Sequence, residues 1–490
     1  MARAKKKSTK PSDVLRIAVT FKRPSDGLGL TEAPARLTGA AVRSYTPDPQ
    51  DVAVAIAELS KLGFTVTRTG KMSVSVRGTR ENFERVFGVK LVERKLKPAD
   101  GIPSAESFFA PAGDSPWNET HPLAGIIDDA YVQWPHIYMA DRFPPGEPSP
   151  VPPRIDYHHL RVPGDVCMVL NAAKVHRQGG TGKGVRVVMI DSGFAHGHPY
   201  FTENGYNTSV VLAPGATDPD KDGNGHGTGE SANLLAIAPD VTFVGVKLDN
   251  ENDPGAGASV LEGFQEALRH NPKVISVSLG YDLANPDRTH LTQLPNSLKA
   301  LEAEIQAAVA DGVVVVFSAG NGHVAFPGMM PGVVSAGGVY VDEKGAMLAS
   351  DYASGFQSKI YPGRNVPDFC GLVGMQPHAD YIMLPIQSGC QIDNSNATHD
   401  KTGKKDGWGV FSGTSAAAPQ LAGVCALLLQ KNPGLSPTEV KAILGRTCRD
   451  VTDGKANAMS NEGTAARAGT GEDVATGSGL VDAFAAWQQA

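Results

Sequence analysis

The chain lacks the features that define several specialised classes of protein. No apolar run among its 490 residues approaches the ~18–20 residues that a membrane helix needs. Its net charge of −6 offers no basic face for phosphate, so we do not expect nucleic acid as a partner. With 41% hydrophobic and 20% charged residues, the composition is that of a globular protein. A membrane span, a coiled coil and a disordered chain are therefore excluded.

Cysteine is scarce, and the five cysteines are scattered as Cys167, Cys370, Cys390, Cys425 and Cys448. None forms a C-x-x-C pair, so a structural zinc site is not expected. A single disulfide such as Cys370–Cys390 stays open, but the scatter favours buried free thiols.

The amino-terminal segment carries a cluster of basic residues, but no apolar stretch follows it. A secretory signal requires such a stretch, and none is recognisable here. We interpret residues 1–14 as a flexible, solvated tail. We expect the protein to be cytoplasmic or exported by another route.

Residues 15–95 show the periodicities of a small α+β domain. Alternating apolar residues predict strands, and apolar residues at helical spacing predict amphipathic helices. The predicted order is strand, helix, strand, strand, helix, strand, over residues 15–21, 51–62, 64–67, 72–76, 79–87 and 89–92. This order indicates a ferredoxin-like (βαββαβ) domain.

A proline-rich stretch, residues 96–160, separates this domain from the rest of the chain. Its densest part, Phe143 to Pro153, has few backbone donors and prefers extended conformations. We interpret it as an exposed connector, and we expect proteolytic cleavage between about Phe143 and Asp165.

Residues 161–490 predict a larger α/β domain. Short strands that are apolar on both faces, at 185–190, 241–246, 274–277 and 313–317, alternate with helical stretches near 226–238, 256–270 and 296–311. This pattern indicates a parallel sheet flanked by helices. Functional groups of such sheets collect at the carboxyl ends of the strands.

Four polar residues lie near the ends of predicted strands or at the start of predicted helices, where functional groups are expected. Asp191 ends a strand, and His226, within Gly-His-Gly-Thr, opens a helix. Ser415, within Ser-Gly-Thr-Ser-Ala, stands before an apolar helix whose N-terminus favours developing negative charge. Asn321 follows an all-valine strand. Taken singly, Asp191 and Asn321 match ordinary turns, and Ser415 matches a capping serine.

Together, these motifs and their order, Asp191, His226, Asn321, Ser415, resemble the subtilisin family of serine peptidases (subtilases). The resemblance covers residues 170–487 and implies a subtilisin-like domain over 161–490. It also implies a catalytic triad of Asp191, His226 and Ser415, with Asn321 in the oxyanion hole. The implied residues lining the substrate cleft are Ser278, Leu279, Gly280, Ser318, Ala319 and Gly320.

The motifs of the amino-terminal domain, among them Gly-Phe-Thr-Val at 63–66 and Val-Phe-Gly-Val at 86–89, resemble the activation prodomain of sedolisins of the kumamolisin type. This resemblance implies an inhibitory or chaperone domain, a zymogen, a polypeptide substrate and the chain's own prodomain as intramolecular inhibitor. One alternative is a sedolisin, which uses a Glu/Asp pair with serine; the presence of His226 and Asn321 favours subtilisin chemistry. The other is a catalytically silent pseudo-peptidase that binds peptides.

No cofactor is expected for the chemistry. Asp218 to Gly223 matches the start of a calcium loop, but Gly229 stands at the twelfth position, where a glutamate is required. We therefore interpret these acidic residues as a solvated loop. The family is compatible with a structural calcium ion, but the sequence does not identify its ligands. The insertion from Gly389 to Trp408 matches no motif.

Overall fold

The computed structural model describes residues 14–33, 39–95, 107–112, 123–138, 159–376, 379–397 and 400–490. Residues 1–13 of the predicted tail and the proline-rich run from 143 to 153 lie outside the described residues. None of the described helices is both long enough and apolar enough to cross a membrane.

Strands are numbered in chain order. They are β1 (Val14–Phe21), β2 (Thr65–Thr69), β3 (Ser73–Thr79), β4 (Leu91–Lys95), β5 (Ser107–Pro111), β6 (Ile127–Val132), β7 (Ile137–Tyr138), β8 (Leu160–Arg161), β9 (Arg186–Asp191), β10 (Thr208–Leu212), β11 (Thr242–Lys247), β12 (Val274–Val277), β13 (Leu279–Asp282), β14 (Val314–Ser318), β15 (Ala325–Phe326), β16 (Val334–Val341), β17 (Met347–Ala349), β18 (Phe356–Gln357), β19 (Asn365–Val366), β20 (Phe369–Leu372), β21 (Ile382–Pro385) and β22 (Trp408–Phe411).

The α-helices are α1 (Gly39–Val42), α2 (Pro49–Lys61), α3 (Arg80–Phe87), α4 (Gly164–Val169), α5 (Ala172–His176), α6 (Pro199–Glu203), α7 (His226–Ile237), α8 (Val260–Leu268), α9 (Asn296–Ala310), α10 (Gln391–Asn396), α11 (Thr414–Lys431), α12 (Pro437–Thr447) and α13 (Ala483–Gln489).

An eight-stranded sheet forms the centre of the larger domain, in the order β10-β11-β9-β12-β14-β16-β17, with β20 also paired to β16. Every pair is parallel except β16 with β17. Alternate residues of β9 enter two different cores: Val187 and Met189 pack on one side of the sheet, Val188 and Ile190 on the other. The parallel sheet flanked by helices that the sequence predicted is confirmed.

A separate four-stranded antiparallel sheet, in the order β2-β3-β1-β6, forms the amino-terminal domain. Its core is built from the apolar face of β1, with Leu59 of α2 and the aromatic rings of Phe83 and Phe87 from α3. Thr79 caps α3 as predicted, because its hydroxyl accepts the Asn82 N–H at 3.1 Å.

The predicted fourth strand forms, but its predicted place in the sheet of this domain is wrong. The segment at 89–92 overlaps β4, which begins at Leu91 and pairs with β5 outside the four-stranded sheet. β6 occupies the edge beside β1 instead. Both segments have strand-like patterns, and only long-range pairing decides which of them completes the sheet.

All five cysteines are free thiols, four of them buried. Cys370 donates to the carbonyl of Thr476, whereas Cys390 lies against Gly225. The disulfide considered between Cys370 and Cys390 is therefore wrong, and the expectation of buried free thiols is confirmed.

Candidate active site

Asp191 and His226 form a buried pair at the carboxyl edge of the sheet. Asp191 is the last residue of β9, and His226 is the first residue of α7. The Asp191 Oδ1 atom lies 2.7 Å from His226 Nδ1, and both side chains are fully buried. A carboxylate oxygen can only accept, so Nδ1 carries the proton and Nε2 is the basic nitrogen of the neutral ring.

Asp222 holds the loop that presents His226. One carboxylate oxygen accepts from Ser192 Oγ and Gly225 N, both at 2.9 Å; the other accepts from the Thr228 N–H and hydroxyl, at 2.9 and 2.6 Å. Burial raises the pKa of Asp222, while these four donors lower it. The expectation that Asp222 lies in a solvated loop is wrong, because its side chain is only 1% exposed. The sequence does contain a signal for its burial: an acid three residues before Gly-His-Gly-Thr can cap the helix that begins at His226.

The insertion from 389 to 408 packs against the same loop. The N–H groups of Gln391 and Ile392 donate to the carbonyls of Gly223 and Asn224, at 2.9 and 3.1 Å. Gly225 has a φ of 98° and lies so close to Cys390 that a Cβ there would come within 2.4 Å of the sulfur. Glycine is therefore required at this position, directly before the histidine.

Ser415 lies in the first turn of α11, the 18-residue helix that begins at Thr414. N–H groups in a first turn have no acceptor within the helix, so they are available to bind an anion. The Ser415 hydroxyl donates to the Ser278 carbonyl at 3.3 Å, and the Ser278 hydroxyl donates to the Ser415 carbonyl at 2.9 Å. Ser415 is thereby tied to one of the predicted substrate-binding residues.

Asn321 is held in one orientation by Thr414. Its Oδ1 atom accepts from the Thr414 N–H at 2.9 Å and from the Thr414 hydroxyl at 3.1 Å. The Nδ2 atom is buried and has no partner among the described residues. It borders Gly413, where a Cβ would lie 2.8 Å from Nδ2. A buried donor without an acceptor costs free energy, which indicates a site where charge is to be bound.

The predicted cleft residues lie in two buried segments. Ser278, Leu279 and Gly280 span the junction of β12 and β13. β7 pairs antiparallel with this segment, Tyr138 opposite Leu279 and Ile137 opposite Gly280.

The second cleft segment, Ser318, Ala319 and Gly320, begins at the end of β14. The Gly320 N–H donates to the Thr414 hydroxyl at 3.0 Å, and its carbonyl accepts from the Ser354 N–H at 2.8 Å. These two groups hold the Asn321 turn together.

The loop that resembled a calcium site holds a buried ammonium group instead. Lys247 Nζ donates to the carbonyls of Asp218 and Lys221, at 3.0 and 2.7 Å, and to Glu251 Oε1 at 2.5 Å. Carbonyl and carboxylate oxygens are calcium ligands, but here they accept hydrogen bonds from the Lys247 ammonium group. Among the described residues, no cluster of three or more His, Cys, Asp or Glu side chains could hold a metal.

The sequence of this chain is similar to that of known serine peptidases. The profile described as the subtilase family matches residues 182–471. Subtilisin E of Bacillus subtilis (strain 168) is 27% identical over 294 residues, which are 57% of this chain and 64% of that protein. The serine protease AprX of the same organism is 30% identical over 306 residues, 56% of this chain and 64% of its own length. The chain thus spans less than two thirds of either relative.

A solved structure is similar over nearly the whole chain. Fervidolysin from Fervidobacterium pennivorans, described as a keratinolytic enzyme related to subtilisin, superposes with a TM-score of 0.56 at 17% identity. The superposition covers 99% of this chain and 62% of that one. At this level of identity the two proteins share a fold.

Proposed function

The chain belongs to the subtilase family, and on that premise we propose that it is a serine endopeptidase in which Ser415, His226 and Asp191 hydrolyse peptide bonds. The observation that carries the proposal is the buried 2.7 Å contact between Asp191 and His226 at the sheet edge where Ser415 opens α11. No cofactor is needed for this chemistry.

Each proton in the proposed reaction has a definite place. Ser415 Oγ attacks the substrate carbonyl carbon while His226 Nε2 takes the hydroxyl proton. The resulting imidazolium is stabilised by Asp191 and passes that proton to the leaving amine. Water then repeats the sequence on the acyl-enzyme, which releases the acid and restores Ser415.

Asn321 would stabilise the negative charge of the tetrahedral intermediate. Because Thr414 occupies Oδ1, the amide can present only Nδ2 to an oxyanion. The Ser415 backbone N–H would supply a second donor from the first turn of α11. Both donors are fixed before substrate binds, so little reorganisation accompanies the reaction.

The alternatives that the sequence left open gain no support. The family profile and both sequence relatives are subtilases or serine proteases, and none is a sedolisin. A silent pseudo-peptidase would not require an unpaired buried amide beside the serine.

We further propose that the amino-terminal domain inhibits its own peptidase domain. β7 lies within residues 96–160, which the sequence assigned to the connector, and it pairs with β13, the strand that would receive an extended substrate. Main-chain pairing of this kind is how peptides bind to sheet edges. A product-like segment in this position excludes other substrates until the chain is cut.

Side-chain contacts hold the amino-terminal sheet on the peptidase domain. The hairpin of β2 and β3 rests on α8 and α9. Thr67 Oγ1 donates to Glu262 at 2.7 Å, and Arg68 pairs with Glu266 at 2.5 Å. Glu304 Oε1 accepts from the N–H groups of Met72 and Ser73, both at 3.1 Å. These contacts support an inhibitory complex.

A fluorophosphonate probe tests the proposed nucleophile. We expect the matured wild-type protein to be labelled on Ser415, and Ser415→Ala and His226→Ala to remain unlabelled. Ser358→Ala, which changes a buried serine that bonds Tyr361, is the matched control and should label normally. Labelling that persists in Ser415→Ala would contradict the assignment.

A further inference from the structure

A second carboxyl group lies beside the proposed catalytic base. Glu230 follows His226 by one turn of α7 and is fully buried. Its Oε1 atom is 4.0 Å from His226 Nε2, the nitrogen that must take the serine proton. Asp191 contacts the opposite edge of the ring, at Nδ1. The imidazole therefore has a carboxyl group on each side, and the mechanism above uses only one of them.

Glu230 is held through only one of its oxygens. Its Oε2 atom accepts from Asn233 Nδ2 at 2.9 Å, and Asn233 Oδ1 accepts from Gln420 Nε2 at 3.1 Å. Oε1 has no hydrogen-bond partner within the described part of the chain. A buried carboxyl oxygen without a donor is costly when ionised. The hydrogen bond to Asn233 uses Oε2 and does not explain why Oε1 is buried beside His226 without a donor.

The surroundings favour a proton on Glu230 at neutral pH. Burial raises its pKa to about 8, the Asp191 charge acts in the same direction, and a charged His226 opposes both. The Asn233 hydrogen bond also lowers this pKa. Two other titratable side chains also contact α7: Asp222 accepts from Thr228, and His196 contacts the Ser231 hydroxyl. Gln420 from α11 and the Phe411 ring from β22, which lies 6.5 Å from the His226 ring, are uncharged.

We propose, building on the function proposed above, that Glu230 shares a proton with His226, so that the imidazole becomes a fully available base only when this proton has left the pair. Glu230 acts through His226 and does not touch the reacting atoms, so it is a positioning residue. A side-chain rotation that closed the 4.0 Å gap between Oε1 and Nε2 would let the Glu230 O–H compete with Ser415 for the lone pair of this nitrogen.

The proton balance is simple. In acid, both groups are protonated. At intermediate pH one proton remains, on Nε2 or on Glu230, and at higher pH it passes to solvent. Ser415 then donates its own proton to Nε2, forming an imidazolium between two carboxylates. That proton goes to the leaving amine, and Glu230 ends each cycle as the same carboxylate.

The test compares the pH dependence of kcat/KM for wild type, Glu230→Gln and Glu230→Leu. Glutamine keeps the size and the acceptor for Asn233 but cannot ionise. A charge within ~4–6 Å shifts a titration by about one to three pH units. We therefore expect the acidic limb of the kcat/KM profile of both variants to shift toward lower pH by at least about one pH unit. Glu203→Gln, on the exposed face of α6, should follow wild type. Limbs that coincide for wild type and Glu230→Gln would overturn the proposal.

Two further measurements separate the outcomes. If hydrolysis survives in Ser415→Ala, the proposed function itself fails. If hydrolysis requires Ser415 but the limb does not move, only the role of Glu230 fails. Should neither variant at 230 fold, ¹⁵N NMR of full-length Ser415→Ala gives the answer, with His226 identified from its missing signal in His226→Ala. We expect the Nε2 resonance to report a transition above pH ~7; a single transition near the ordinary histidine value of ~6.5 would overturn the proposal.

Discussion

At the scale of single residues, the site depends on which oxygen or nitrogen is already occupied. The Asn321 amide has only its nitrogen left to donate because Thr414 takes its oxygen. Three acids in one loop show the same principle: Asp220 is exposed and Asp218 is half-buried, whereas Asp222 is buried and accepts hydrogen bonds from four donors. All three residues are aspartates, so their different burial and hydrogen bonding come from the residues around them.

Asn321 offers a test at this scale. Asn321→Ala should lower kcat by about 10²–10³ with little change in KM, because the lost donor would bind charge that appears only in the transition state. The range is the loss measured when an asparagine donor is removed from the oxyanion hole of subtilisin. Asn321→Asp keeps the acceptor for Thr414 but replaces the donor by a carboxylate, and it should lower kcat further. Steady-state kinetics on a peptide substrate decide; a normal kcat in Asn321→Ala would assign the oxyanion hole to another donor.

At the scale of elements, two helices and one strand carry the proposed cleft. α7 and α11 each hold a proposed catalytic residue, His226 and Ser415, in the first turn, where the helix dipole places its positive end. β7 adds to β13 in register. The described part of β7 ends with Tyr138 opposite Leu279, the residue that follows Ser278, and Ser278 is hydrogen-bonded to Ser415.

This register predicts where the chain cuts itself. The sequence favours cleavage between about Phe143 and Asp165. The pairing of β7 with β13 instead favours a cut directly after β7, and we expect it at the Met139–Ala140 bond, whose residues lie outside the described part of the chain. Mass spectrometry of the purified wild-type protein should then show a mature chain that begins at Ala140, whereas Ser415→Ala should stay at full length. A first cut between residues 143 and 165 would show that β7 is not bound in the register of a product.

At the scale of the whole molecule, the two domains meet through polar contacts and a small apolar cluster. The amino-terminal core is separate from the two cores of the large sheet, except that Ala18 of β1 packs into one of them. The apolar cluster joins four amino-terminal residues to two alanines of α9: Leu30, Val42, Tyr45 and Met72 with Ala303 and Ala307. Carboxylates of α8 and α9 also accept hydrogen bonds from β2, β3 and the turn between them. An interface of this kind can release an intact domain after cleavage.

Glu304 is the residue whose loss should weaken this complex most. It accepts N–H bonds from Lys71, Met72 and Ser73 and a hydroxyl bond from Ser73. Hydrogen bonds to charged groups contribute about 1.5–3 kcal/mol each, so losing even two of them in Glu304→Ala should raise the inhibition constant of the released amino-terminal segment about 10²-fold or more. The kcat of the matured enzyme should not change, and Glu203→Ala is the exposed control. An unchanged inhibition constant would place the inhibitory energy elsewhere.

Local sequence patterns were enough to predict the main strands and helices of the large domain and the order of the motifs. Runs of valine and isoleucine marked β9, β11, β12 and β14, because strands buried on both faces must be apolar throughout, and helical spacing marked α7, α8 and α9. The proposed catalytic residues were found the same way, since each stands at the end of such an element.

Which distant segments contact one another becomes visible only in the folded chain. In the folded chain β6, and not β4, is the edge strand beside β1, and Asp222 is buried. Lys247 donates to carbonyls of the calcium-like loop, and the insertion of residues 389–408 packs against the loop before His226. The fold also directs Glu230 toward His226 rather than toward solvent. Local patterns report local preference, whereas burial and pairing depend on contacts between residues far apart in the chain, and those contacts set the charge and the hydrogen bonds of each polar group.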